Sequence, residues 1–247
     1  MNKKQLIEEI KKIKRKVEEL KKSRPIHSPK VSMMQELEDL EEKLNAKKKM
    51  LSKAENTMEI SEWKERLERE REEKDKFFLL HPQSPIPFEE RKRFKGLDCY
   101  LPNPNYRFEL ELHEHDEKKT VKMAYTKGNE QDFLRWGEFQ FRISGQEQIL
   151  QAYKNNPIED RLFIPFKDET SGKETYGAGR YIDLEPERDH TPERRWILDF
   201  NKAYNPWCVY SETYTCPFIP PENWLKVPIR AGEKNYPLKS KRGVNNS

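Results

Sequence analysis

Long apolar runs are missing from this sequence. No stretch approaches the roughly 18–20 apolar residues that cross a bilayer. Residues 1–20 also lack the continuous apolar stretch of a secretory leader, so the expectation is a cytoplasmic protein with no membrane association. Cysteine is scarce: three in 247 residues exclude a disulfide scaffold. Histidine numbers five, and His27 and His81 lie in Pro-flanked linkers, so no Ser-His-Asp arrangement is readable. Glycine numbers nine, and no complete phosphate loop forms from them. Ser171-Gly172-Lys173 has Lys167 where a P-loop needs its first glycine, and Glu174 where it needs Ser or Thr. Gly177-Ala178-Gly179 has Ile182 in place of the third glycine of a dinucleotide fingerprint, and it leads into a strand pattern rather than a helix. A tight turn into a strand explains these glycines better. His113 and His115 stand two apart without a third ligand, which fits an exposed strand end better than a metal site. No metal site or cofactor is identifiable.

Charge is abundant. Charged residues make up 37% of the chain and hydrophobic residues 34%, with a mean hydropathy of -1.12, too polar for a single compact globule. Residues 1–80 hold 22 Lys/Arg against 18 Asp/Glu, while residues 81–247 hold 26 of each. The excess sits in residues 1–30, with 11 basic and 4 acidic residues. Such a patch attracts nucleic acid electrostatically, but no aromatic residue is interleaved there for base stacking. A solvated face is the favoured reading, and nucleic-acid binding is disfavoured.

Leu6, Ile10, Ile13, Val17 and Leu20 repeat at 4, 3, 4, 3, the seam of an amphipathic helix. Ser23, Arg24, Pro25, Ser28 and Pro29 break it. Met33, Leu37, Leu40, Leu44 and Leu51 form a second stripe, interrupted by Lys47 and Lys48. Ser61 is placed to cap a third helix over 60–80, with Trp63, Leu67 and Phe78 on its apolar face. Helices this short need a partner stripe. Residues 1–57 are therefore expected to form a charged coiled-coil arm, folded back as an antiparallel hairpin or self-associated with another copy.

After Pro82, Pro85 and Pro87 the texture changes to short aromatic and β-branched runs, which marks residues 58–247 as a second domain. It holds the 60–80 helix, a mostly-β core over 86–236 and a short basic C-terminal tail. Tyr106–Leu112, Val121–Thr126, Phe133–Ile143, Ile149–Tyr153, Arg161–Phe166, Gly179–Leu184, Trp196–Phe200 and Trp207–Tyr210 read as strands. Lys127-Gly128-Asn129 and Ser144-Gly145 read as hairpin turns. The fold class expected is mostly β: an antiparallel β-sandwich or partly open barrel with an N-terminal α-helical coiled-coil arm. The segment Trp207 to Cys216 is symmetric about Glu212. As a hairpin it would set Tyr210 against Tyr214 and Cys208 against Cys216, with Cα atoms roughly 4.5–5.5 Å apart. That distance suits a reversible disulfide, and it also suits two reduced core cysteines.

Polar and aromatic side chains are densest between Pro165 and Lys234. Tyr176, Arg180, Asp183, Asn201, Tyr204, Asn205, Glu222 and Asn223 are the candidate ligand-binding residues. Arginine offers a planar fork for carboxylate or phosphate, and tyrosine and asparagine orient small molecules through hydrogen bonds. The competing reading of the same residues is a satisfied polar network bracing Pro-rich loops.

The run Pro165-Phe166-Lys167-Asp168-Glu169-Thr170-Ser171-Gly172-Lys173-Glu174-Thr175-Tyr176-Gly177-Ala178-Gly179-Arg180-Tyr181-Ile182-Asp183-Leu184 resembles the central signature of the domain of unknown function 1684 family of prokaryotic proteins. The C-terminal signature of that family is similar to Leu198-Asp199-Phe200-Asn201-Lys202-Ala203-Tyr204-Asn205-Pro206, Cys208, Tyr210, Tyr214, Cys216-Pro217, Pro221-Glu222-Asn223 and Val227-Pro228-Ile229-Arg230-Ala231-Gly232-Glu233-Lys234. The likeness begins near Trp63, includes Ser84-Pro85 and Gly96-Leu97, and reaches Lys234. It implies membership without an activity, places Cys208 and Cys216 in the family pattern, and marks the first 55 or so residues as an addition. Cys99 stands where that pattern has Tyr, so no role is assigned to it. Two functions are carried forward. One is a small-molecule-binding or enzymatic β domain with no assignable reaction. The other is a non-catalytic interaction or scaffold protein assembling through the arm.

Overall fold

A computed structural model describes residues 3–23 and 31–236. The Pro25 and Pro29 break, His27, part of the basic patch and most of the basic tail lie outside the described residues. Two compact units divide between Arg66 and Leu67.

In the first unit, helix α1 (Lys3–Ser23) runs antiparallel to the start of helix α2 (Val31–Leu80). Leu6, Ile10 and Leu44 are buried together, with Ile13 and Leu51 beside them. Ion pairs fix the direction: Lys3 with Glu55 at 3.2 Å, Lys21 with Glu41 at 2.6 Å, and Lys47 with Glu9. Exposed pairs of this kind contribute about 0–1 kcal/mol each, so the apolar stripe is what holds the hairpin. Lys47, which interrupts that stripe in the sequence, spends its charge on Glu9.

The third helix expected from Ser61 does not start there. Residues 31–80 form one helix of 50 residues. Nothing between Leu51 and Ser61 is Gly or Pro, and the Thr57 hydroxyl donates back to the Lys53 carbonyl at 2.8 Å, satisfying a cap-type side chain inside the helix. This length also corrects the expectation of a mostly-β chain, since helix exceeds strand overall.

The second unit carries the strands, all antiparallel. β1 (Arg107–Leu110) pairs with β8 (Trp196–Asp199) as a ribbon. The larger sheet contains β2 (His113–Glu114), β3 (Thr120–Ala124), β4 (Glu130–Ile143), β5 (Gln146–Lys154), β6 (Leu162–Phe166) and β7 (Arg180–Leu184). Its order is β2-β4-β5-β6-β7, with β3 also on β4, and no barrel closes among the described residues. Both expected hairpin turns form. Ser144 and Gly145 take positive φ of 51° and 78° between β4 and β5, the backbone a tight two-residue turn requires.

Alternation assigns the faces. Phe139, Phe141, Leu150, Ala152, Leu162, Ile164, Phe166, Ile182 and Leu184 point to one side, where they pack with Trp196, Leu198 and Phe200. Phe133, Tyr153, Phe163 and Tyr181 point to the other, against Cys216 and Ile219. β6 is buried at every residue because both faces are covered.

Trp207–Tyr210 is not a strand. Pro206 starts a single 3-10 turn over Trp207–Val209, closed by Val209 N–H to the Pro206 carbonyl and Tyr210 N–H to the Trp207 carbonyl, both at 3.0 Å. The symmetric hairpin around Glu212 is therefore absent. Tyr210 turns inward onto Phe78, at 5.0 Å edge-to-face, and Tyr214 packs on Trp207.

Candidate functional site

The eight candidate ligand-binding residues fall into separate environments. Arg180 begins β7 with a fully buried side chain, paired to the equally buried Asp168 at 3.0 Å. Its guanidinium also donates to the carbonyls of Ile229 (2.8 Å), Ala231 and Glu233 (3.1 Å). All of these partners are protein groups, so Arg180 staples residues 229–233 to the sheet.

Asn223 is likewise spent internally. β5 and β6 share only the pair Tyr153 and Phe163, and Pro165 offers no N–H to that ladder. The Asn223 amide fills the gap. It donates to the carbonyls of Gln151 (2.9 Å) and Pro165 (2.7 Å) and accepts from Gln151 N–H at 2.8 Å. Its neighbour Glu222 accepts from the Tyr153 hydroxyl at 3.0 Å. Asn201 exchanges hydrogen bonds with the Asn103 backbone at 2.9 Å and donates to Asp199. Asn205 donates through its backbone to Glu233 and through its amide to the Lys234 carbonyl, both at 2.8 Å.

Asp183 and Tyr204 line a cleft of about 470 Å³ together with Asn201, Arg71, Lys74, Cys99 and Glu233. The Tyr204 hydroxyl donates to Asp183 Oδ2 at 2.6 Å. Asp183 Oδ1 is buried without a hydrogen bond, and the nearest guanidinium, that of Arg161, stands 3.8 Å away. Burial raises the Asp183 carboxyl above its ordinary value, against the opposing pull of Tyr204, Arg161 and Arg188. Burial and the adjacent Asp183 carboxylate push the Tyr204 phenol up.

Several other lining groups are already paired. Glu233 Oε1 accepts from Lys74 at 2.6 Å, and Oε2 accepts from Asn205 N–H at 2.8 Å and the Tyr210 hydroxyl at 3.0 Å. Lys74 also lies 5.0 Å from the centre of the Tyr204 ring. Lys202 pairs with Glu70 at 3.3 Å. Arg71 is held by the carbonyls of Tyr100 (2.9 Å) and Asn201 (3.1 Å). Burial pushes the Cys99 thiol up to about 11. Among the buried side-chain groups of the cleft, Asp183 Oδ1 is an acceptor that receives no hydrogen bond.

Sequence reasoning missed Lys74 and Glu233. Lys74 sits in a charged helical run of the kind that normally faces water, and its partner lies 159 residues away. Tyr176 sits apart, half-buried among Phe78, Ile86, Val209 and Tyr210. Burial and a hydrogen bond with Cys208 hold its phenol up at about 12. No helix among the described residues is long and apolar enough to cross a membrane.

The family model described as protein of unknown function (DUF1684) matches residues 92–234, starting later than the resemblance from Trp63. No curated protein matches. The chain is similar to a solution NMR structure of an uncharacterized protein of Haloarcula marismortui, at 39% identity and a TM-score of 0.56, covering 72% of this chain and 96% of that one.

Proposed function

Because the chain belongs to the DUF1684 family of proteins of unknown function, kinship supplies no activity, and we propose from the cleft itself that the second unit binds a small molecule rich in hydrogen-bond donors, an amine or a polyol. The observation that carries this is Asp183 on the wall of that cleft, whose Oδ1 receives no hydrogen bond and has only the Arg161 guanidinium 3.8 Å away. A buried acceptor without a donor costs about 1–3 kcal/mol, and a ligand donor would recover it. The cations of the cleft favour the same class of ligand, since Lys74, Lys202 and Arg71 are already engaged by protein acceptors. No reaction is assigned.

The test is a thermal-shift panel of amines, polyols, organic acids and nucleotides on the full chain. The expected result is stabilisation by an amine or polyol, with affinity reduced roughly tenfold or more in Asp183→Asn, the scale of a lost hydrogen bond to a charged group. Stabilisation by organic acids or nucleotides alone, or binding that ignores both Asp183→Asn and Tyr204→Phe, rejects the reading. The pH dependence has a definite sign. Burial holds the Asp183 carboxyl protonated to a higher pH than its ordinary 3.8. Its ionisation therefore weakens the empty fold as pH rises through the raised value, while a cationic ligand binds more tightly over that same interval.

A second reading, an interaction protein assembling through a coiled-coil arm over residues 1–57, is favoured by the exposure of Met34, Met50 and Met58, each about half exposed. Sedimentation of the chain with and without residues 1–57 separates the two. A fall from oligomer to monomer supports assembly through the arm, and a monomer in both cases ends it.

A further inference from the structure

We propose that Cys208 and Cys216 form a thiol–disulfide exchange site that closes to an intramolecular disulfide at the expense of a small-molecule disulfide.

The two cysteines come together without the hairpin their spacing suggested. Cys208 lies in the Trp207–Val209 turn and Cys216 just before Pro217. The Cys208 N–H donates to Cys216 Sγ at 3.4 Å. The two side chains pack in one cluster, Cys216 in its buried part and Cys208 partly buried against it.

The turn after β3 holds this arrangement in place. Cys216 N–H donates to the Thr126 hydroxyl oxygen at 3.3 Å, and Thr126 N–H to the Cys216 carbonyl at 3.1 Å. The Cys216 side chain packs beside Met123, Tyr181 and Ile219 and is 7% exposed, whereas Cys208 is only half-buried. With the Cys216 sulfur held against the Cys208 backbone, a short side-chain approach brings the two sulfurs to the roughly 2.05 Å of a disulfide bond.

Electrostatics agrees with the geometry. The neighbouring Cys208 thiol and backbone N–H draw the Cys216 thiol below its ordinary value, and the same pairing pushes the Cys208 thiol up. The pair thus gives up its first proton more readily than an isolated thiol, and the thiolate is the species from which exchange proceeds. Cys99 provides an internal contrast, since burial holds its thiol up at about 11.

The exchange takes two displacements. Cys208, the more accessible sulfur, passes its proton to Cys216 and attacks one sulfur of the small disulfide. The S–S bond of the small molecule breaks, one half leaves as a thiolate that takes up a proton, and a mixed disulfide forms on Cys208. Cys216 then loses its proton to solvent and attacks the Cys208 sulfur. The second half leaves and is protonated, and the intramolecular disulfide remains. Two protein thiols are oxidised, and one small disulfide is reduced to two thiols.

Equilibrating the full chain with oxidised glutathione, then reading intact mass and peptide mapping, tests this. The expected wild-type product has lost two hydrogens, with Cys208 and Cys216 joined and Cys99 free. Cys216→Ser should stop at a single glutathione on Cys208, because the second displacement has no nucleophile. Alkylation of the untreated protein should mark Cys208, the more accessible sulfur, before the buried Cys216. Three free thiols in the equilibrated wild type, or stable glutathione adducts without an internal bond, would overturn the proposal. The wild-type measurement stands alone if the serine variant does not fold.

Discussion

Replacing Arg180 by methionine is expected to cost about 3–5 kcal/mol of folding stability, the scale measured when one partner of a buried ion pair is removed. Both side chains of the Arg180–Asp168 pair are fully buried. The substitution strands a carboxylate that has no water to turn to. It also leaves the carbonyls of Ile229, Ala231 and Glu233 without the guanidinium they now share. The other oxygen of Asp168 stays engaged, taking Thr170 N–H at 2.7 Å and Ile229 N–H at 3.2 Å, and that local arrangement pins the charge in place. Arg180→Lys should recover little, because a single ammonium cannot reproduce a planar fork aimed at four acceptors. Asp168→Asn combined with Arg180→Met should cost less than the two single changes added together. Urea titration measures the four variants against wild type, and a methionine variant within 1 kcal/mol of wild type would remove the staple from the account.

That result bears on what the sequence could disclose. Arg180 was a fair candidate for a ligand fork, since nothing local distinguishes a guanidinium aimed into a pocket from one aimed at its own backbone. Its partners at Ile229–Glu233 lie some fifty residues downstream, and only packing brings them near. The same holds for Asn223, whose amide completes a ladder that Pro165 leaves open. Asp183 and Tyr204 were legible as polar residues beside apolar ones, but their meeting depends on β7 approaching the 199–204 segment, as the mutual backbone bonds of Tyr181 and Tyr204 at 3.0 Å record. Strands were far more readable than sites. Phe139, Phe141 and Ile143 alternate with Gln140 and Arg142 in β4, and a period of two survives any tertiary arrangement. Trp207–Tyr210 failed because aromatic and β-branched content suits a buried turn as well as a strand, and Pro206 decided between them.

Gly179→Ala is expected to be the other severely destabilising change, and Gly177→Ala close to neutral. The two glycines read alike in sequence, as halves of an incomplete nucleotide loop. Gly179 takes a φ of +100°, and a Cβ there would meet Ile219 Cδ1 and stand 2.6 Å from the Phe166 carbonyl oxygen. The left-handed backbone costs an alanine about 1–2 kcal/mol, and overpacking adds about 1–3 kcal/mol. The clash is with the backbone of β6, which cannot yield without disturbing its ladder to β7. A Cβ on Gly177 finds nothing nearer than Gly172 Cα at 3.5 Å, an ordinary contact, at a backbone angle alanine accepts. Thermal melts of both variants decide the matter: a drop of many degrees for Gly179→Ala, set against a shift of a degree or two for Gly177→Ala. Equal sensitivity at the two positions would mean that the loop, rather than the seam between β6 and β7, sets the requirement for glycine. A difference this large between two residues of one motif assigns the motif to the fold. The search for a ligand then moves to the cleft that Asp183 and Tyr204 line.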